Sequence, residues 1–183
     1  MSAGKVLFVT ALDVIKKAGD PAPAKDQLGD IRYEGGKVYK YVTYSGGTVA
    51  GDVVKNDVVV YHGADGLDDN QVTGDYTDGE ADPLMGTVAG IAVTAMSNQT
   101  DATKAEWGWI QVRGYATLSK AFETSNDDTP LAAANGDELV IGDADGTLRK
   151  RNGGLVDNKN DTAAVCAVAI DIAGKKVVLD CAY

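Results

Sequence analysis

The chain has few of the residues that carry out chemistry: its 183 residues include one histidine, His62, and two cysteines. The sequence contains no standard nucleophile, nucleotide-binding or metal-binding motif. A single histidine at a strand end, without a nucleophile or acid partner, does not make a catalytic site. We therefore expect a protein that is not an enzyme, with no catalytic residues, no bound metal and no cofactor.

Basic residues and long apolar runs are also scarce. The 17 Lys and Arg residues are outnumbered by 27 Asp and Glu residues, giving a net charge of −10. This balance argues against binding nucleic acid or an anionic membrane surface. The apolar runs are shorter than the ~20 residues that a membrane-spanning helix needs. The first residues, Met1 to Lys5, lack a signal-peptide pattern, so we expect no export.

The residue types that are abundant favour β-structure. The chain has 21 Val and 14 Thr against 11 Leu, and 22 Asp against 5 Glu, together with 22 Gly. Val and Thr suit pleated strands, whereas Asp and Gly favour turns. The composition therefore predicts an all-β fold: a compact barrel or sandwich of short antiparallel strands, with long acidic loops and little helix.

Two of the four prolines, Pro21 and Pro23, divide the chain into an arm and a domain. Proline interrupts helices and central strands, so the stretch around them is predicted to be extended. We predict that residues 1–28 form an N-terminal strand and an extended arm or linker, and that residues 29–183 form the β domain.

Gly-Asp turns that precede apolar residues recur along the β domain. They are consistent with two related β units, residues 29–122 and 123–183, or with chance similarity between glycine-rich hairpins. The Gly35-Gly36 pair predicts a tight hairpin, because both residues tolerate positive φ. Strands are predicted over residues 5–10, 29–33, 37–44, 51–54, 57–61, 87–96, 106–118, 137–142, 147–150, 163–172 and 176–183.

Residues 63–86 carry seven acidic residues and no basic one, without a clear strand. We predict a long loop, either a solvated excursion on the outer surface or a loose calcium site of no specific spacing. The run Asp143 to Gly146 is similar to the start of a calcium-binding loop, but its glycine comes too early in the pattern. The three basic residues that follow, at positions 149–151, would also repel a divalent cation. A β-turn is the better interpretation of that run.

The strand predicted at residues 106–118 carries large polar and aromatic side chains on one face. Because side chains alternate along a strand, Ile110 and Val112 belong to the core face. The opposite face would be covered by the chain's own arm or loop, or by another subunit, since exposed aromatics are costly. Trp, Tyr and Arg are enriched at interface hot spots. We therefore predict a subunit interface at Trp107, Trp109, Arg113 and Tyr115.

The two cysteines lie in the predicted C-terminal hairpin. Because side chains alternate between the two faces of a strand, both thiols are predicted to face the core. Val168, Ile170 and Ile172 are predicted to share the face of Cys166. A turn at Gly174-Lys175 would place Val168 opposite Cys181, whereas a turn at Ala173-Gly174 would place the two cysteines opposite each other. Turn chemistry favours the first register, and buried free thiols are the expected state.

Several segments resemble one family of virion proteins. The segments are Gly29 to Val42, Val88 to Ala92, Gly108 to Ala116 and the closing Ala167 to Ile170 with its final strand. They resemble the capsid decoration, or cement, proteins of tailed bacteriophages. The resemblance runs from about Gly29 to the C-terminus and rests on Gly-Asp turns and small-residue strands.

The resemblance implies a virion protein on the outer capsid surface, made in the host cytoplasm, that binds the major capsid protein and stabilises the shell, often as a homotrimer. It carries over no active-site residues. We expect the capsid contact in the N-terminal stretch, at Val6, Phe8, Pro21 and Pro23. Two alternatives remain: a tail or head-fibre base component, and a carbohydrate-binding surface module in which Trp107 and Trp109 stack on sugar rings.

Overall fold

The computed structural model describes residues 11–17, 26–44, 52–62, 70–75, 87–97, 106–123, 132–142, 146–151 and 165–181. These residues form eleven strands and no helix, which confirms the predicted all-β class. The strands are β1 (Lys16–Lys17), β2 (Ile31–Glu34), β3 (Lys37–Tyr44), β4 (Val58–Tyr61), β5 (Gln71–Thr73), β6 (Val88–Ala92), β7 (Glu106–Thr117), β8 (Glu138–Ile141), β9 (Leu148–Lys150), β10 (Ala167–Asp171) and β11 (Lys176–Asp180).

Five of these strands close into a barrel in the order β3-β5-β4-β6-β7, because β3 also pairs with β7. The pairs are antiparallel except for β3 with β5, which is parallel. The barrel interior is filled mainly by β-branched side chains with no exposed surface, among them Val42, Val59, Val72, Ile110 and Val112. Such residues pack well on a pleated surface, which is why this valine-rich chain forms a barrel.

The twelve-residue strand β7 connects the barrel to an outer sheet. Its first part pairs with β1, β3 and β6, and its second part, from Arg113 to Thr117, pairs with β11. The sheet then continues in the order β11-β10-β8-β9. β7 therefore has one end in the closed barrel and the other in an open sheet that exposes an outer face.

The hairpin between β2 and β3 forms where the sequence predicts it. Gly35 and Gly36 have φ values of 59° and 78°, and Glu34 lies opposite Lys37. A two-residue turn with positive φ at both positions matches the twist of the flanking strands. The prediction is confirmed because it depends only on residues that are adjacent in sequence.

Two strand predictions in the first half of the chain were wrong. The stretch 63–86 is not strand-free, since β5 (Gln71–Thr73) lies within it and completes the barrel between β3 and β4. Residues 51–54 form no strand among the described residues, only an isolated bridge between Val53 and Met96. The predicted strand at 5–10 lies outside the described residues.

The C-terminal hairpin keeps both thiols buried and free, as predicted, but its register differs. The amide of Lys175 donates to the carbonyl of Ile172 at 3.2 Å, so the turn is centred on Ala173-Gly174. An irregularity between Ala169 and Asp171 then shifts the pairing, which places Val168 opposite Val178 rather than Cys181. Cys166 and Cys181 form no disulfide.

The same irregularity corrects the predicted faces of β10. Val168 and Ile170 are 39% and 36% exposed, whereas Ala167 and Ala169 are buried. A bulge adds one residue to one strand, and a one-residue shift moves side chains to the opposite face. Val168 and Ile170 therefore belong to the outer face of the open sheet, not to the core.

Candidate functional site

One face of β7 carries an aromatic cluster formed by Tyr39, Tyr41 and Trp109. The rings of Tyr41 and Trp109 lie across the β3–β7 pair with their centroids 5.1 Å apart and their planes tilted by 55°. Trp109 is 2% exposed. This tilted contact is a favourable geometry for two aromatic rings.

The chain's own residues cover the aromatic cluster. Leu12, Val93 and Trp107 pack against it, and β1 pairs with the start of β7. Lys17 fixes this pairing through an ion pair with Glu106 at 2.8 Å between Nζ and Oε1. The placement of Trp109 at a subunit interface was therefore wrong, because its own protomer buries it. Trp107 is partly buried at the edge of the same cluster.

This burial also affects the carbohydrate-binding alternative. That interpretation needs two exposed indole rings on which sugar rings can stack. With Trp109 buried, the stacking surface predicted at Trp107 and Trp109 is absent from the described face of β7.

The second half of β7 exposes the other two predicted interface residues. Tyr115 is 68% exposed, and the side chain of Arg113 is 56% exposed. Tyr115 lies directly opposite Val178 of β11, which lies directly opposite Val168 of β10. We name these three residues the outer stripe. It crosses three adjacent strands without interruption.

Ion pairs border the outer stripe on both sides. Arg113 Nε lies 3.2 Å from Asp180 Oδ1, two residues from the stripe along each of the two strands. On the other side, Lys176 Nζ lies 3.2 Å from Asp171 Oδ2 near the hairpin turn. Each of these exposed pairs is neutral as a unit. An apolar stripe with paired charges at its border resembles the core and rim of a protein–protein interface.

A buried lysine inside the barrel is a separate feature that the sequence analysis missed. Lys40 is 5% exposed, and its Nζ donates to the hydroxyl of Tyr61 at 3.0 Å. The ammonium also lies 5.0 Å from the centre of the Tyr61 ring. Burial lowers the pKa of Lys40 and, with a smaller contribution from Cys181, raises the pKa of Tyr61 to about 12. Alternation along Lys37–Tyr44 could have identified Lys40 as an inward-facing residue.

We expect Tyr61 to make the protein less stable as the pH rises above 10.5. The unfolded tyrosine loses its proton near pH 10, whereas the folded one keeps it until about pH 12, so unfolding releases a proton in this window. The slope contributed is about 1.4 kcal/mol per pH unit. Lys40 acts in the opposite direction, but only up to its ordinary pKa of 10.5.

Urea titrations at several pH values check this prediction. The Tyr61→Phe variant should lose less stability than the parent between pH 10.5 and 12, whatever its stability at neutral pH. Identical slopes for the parent and the variant would contradict the burial of the Tyr61 hydroxyl.

Several predicted sites lie outside the described residues. These are Val6, Phe8, Pro21 and Pro23 of the predicted capsid contact, most of the acidic stretch 63–86, and Asp143 to Asp145. Within the described ranges, no group of three or more His, Cys, Asp and Glu residues is arranged to hold a metal. The described part also contains no helix long and apolar enough to cross a membrane.

Comparison of the chain with known proteins found no similar protein. No protein-family model matches the chain, no curated protein is significantly similar to it, and no solved structure matches it.

Proposed function

We propose that this chain is a structural, non-enzymatic protein of a bacteriophage particle that binds the outer surface of the capsid and stabilises the shell. The proposal is supported by the resemblance in the β domain and by the outer stripe of Tyr115, Val178 and Val168. A decoration protein acts by burying surface that is available only on the assembled shell, so its binding free energy favours the assembled state.

The outer stripe is the single observation that carries the proposal. Apolar side chains in three consecutive cross-strand positions form a continuous surface, whereas scattered exposed apolar residues need no explanation. We assign this surface to contacts between copies of the chain in a homotrimer. Arg113 and Tyr115 remain its predicted interface residues, and the N-terminal arm remains the predicted contact with the major capsid protein.

The Tyr115→Asp variant tests this assignment. A charge in the centre of the stripe should raise the dissociation constant of the oligomer at least about tenfold, because an aspartate buried there would have no partner. The melting temperature of the monomer should change little, since Tyr115 is 68% exposed. Size-exclusion chromatography with light scattering reports the mass of the parent and the variant at matched concentrations.

Tyr33→Asp is the matched control for this experiment. Tyr33 is 73% exposed and lies on β2, outside the outer stripe, so the same substitution should leave the oligomer intact. A parent protein that is monomeric at all concentrations would remove the proposed interface. An equal response of both variants would also reject it.

Capsid binding itself is tested on particles. Electron cryo-microscopy of phage particles carrying the protein should show it on the outside of the head, at the boundaries between capsomers. Density at the tail or at the base of a head fibre would support the alternative virion role instead. Particles that lack the protein should lose their DNA at a lower temperature.

A further inference from the structure

A cleft of about 290 Å³ opens on the barrel beside the point where β7 passes from β6 to β11. Its size is near the lower end for ligand pockets, about 300–1,000 Å³, so it suits a small molecule rather than an oligosaccharide. Four of its lining residues offer polar side chains, and two carry positive charge. They are Tyr39, Asn56, Gln111 and Thr117, with Lys37 and Lys55.

The two lysines come from different parts of the fold. Lys37 begins β3, and Lys55 lies in the turn before β4. Among the described residues, neither ammonium group has an ion-pair partner. This is notable in a chain with a net charge of −10, in which acidic residues outnumber basic ones. Two cations that line the same cleft attract an anion.

The carboxylates nearest to these lysines along the chain or across the sheet are used elsewhere. Glu34 lies directly opposite Lys37, but its Oε2 pairs with Arg32 at 2.6 Å. Asp57 lies two residues after Lys55, but it accepts hydrogen bonds from the amide of Val54 and the hydroxyl of Ser119. The cleft therefore keeps two cations whose neighbouring acids already have partners.

The structure assigns this cleft as a binding site for a small dianion, either a dicarboxylate or a phosphate monoester, held by the ammonium groups of Lys37 and Lys55. The hydroxyls of Tyr39 and Thr117 and the side-chain amide of Asn56 can donate to the remaining oxygens of such a ligand. The amide of Gln111 is used within the protein, since its Nε2 donates to the carbonyls of Arg113 and Tyr115. The assignment does not depend on the proposed capsid function, because the cleft contains none of the outer-stripe residues.

Nuclear magnetic resonance titrations with succinate and with inorganic phosphate test the assignment at low ionic strength. One of the two probes should give saturable shifts of the amides of Lys37, Asn56 and Gln111, with a dissociation constant on the order of 1 mM. The preferred probe identifies whether the natural ligand bears carboxylates or a phosphate.

Matched charge variants separate a site from a general effect of charge. The double variant Lys37→Gln and Lys55→Gln should weaken binding at least about tenfold. The control, Lys150→Gln with Arg151→Gln, removes the same charge from β9 and the residue after it and should bind like the parent. Equal weakening by the two double variants, or no saturable shift with either probe, would overturn the assignment. Neither result would affect the oligomer test at Tyr115.

Discussion

Replacing Trp109 by alanine should lower the free energy of unfolding by about 3–5 kcal/mol, the usual cost of removing a large aromatic side chain from a core. Trp109 is 2% exposed and contacts Tyr41 across the β3–β7 pair, the pair that closes the barrel. For a domain of this size the loss corresponds to a decrease in melting temperature of roughly 10 °C. Thermal and urea denaturation measure it.

Two further variants identify why Trp109→Ala loses stability. Tyr115→Ala, also on β7, removes an aromatic ring that is largely exposed and should change monomer stability by less than about 0.5 kcal/mol. Trp109→Phe should cost less than Trp109→Ala, because the ring contact with Tyr41 is partly kept and the buried indole Nε1 has no hydrogen-bond partner among the described residues.

The Trp109→Ala experiment also distinguishes the two explanations that the sequence leaves open. If the chain's own residues cover the indole, the variant unfolds more readily and keeps its assembly state. A variant with unchanged stability but a lower mass by light scattering would mean that another subunit covers Trp109 instead, and would contradict the buried aromatic cluster.

Local sequence patterns predicted much of the fold. The Gly35-Gly36 turn is set by two residues that accept positive φ, and the alternation from Trp107 to Tyr115 identifies Ile110 and Val112 as core residues. Both features depend on neighbours in sequence, so no knowledge of the tertiary structure was needed to find them.

Features that depend on distant residues were missed. β5 has three residues and no strong pattern of its own, and it is a strand because β3 and β4 pair with it. The bulge near Ile170 cannot be predicted from the alternation of side chains along a strand, because that pattern assumes regular pairing between the strands. That bulge decides which residues of β10 join the candidate interface.

In the candidate site, too, the residues set by local sequence were predicted and those set by distant pairing were not. Arg113 and Tyr115 were predicted from one strand alone and lie on the exposed face. Their neighbour Val168 was predicted to face the core, and Val178 was not considered. The reason is that a turn and a bulge together set the register between β10 and β11. A stripe across three strands is a property of the sheet, so a single strand reveals only one end of it.

Replacing Gly90 by alanine should destabilise the protein by about 3 kcal/mol, the upper range for overpacking of a core. Gly90 lies in β6, between β4 and β7, next to an irregularity in the β4–β6 pairing. A Cβ atom at this position would lie 2.6 Å from the backbone oxygen of Gln111 on β7. Backbone atoms within a closed barrel cannot move aside without disturbing the ladder, so β6 and β7 would have to separate.

Gly108→Ala is the matched control for Gly90→Ala. Its Cβ would lie 2.5 Å from Cδ1 of Ile15, the end of a flexible side chain in the segment before β1. That side chain can rotate away, so the expected cost is about 1 kcal/mol. Urea denaturation compares both variants with the parent. If Gly90→Ala is as stable as Gly108→Ala, the backbones of β6 and β7 do not approach each other at Gln111, and the barrel is not closed in the order β3-β5-β4-β6-β7.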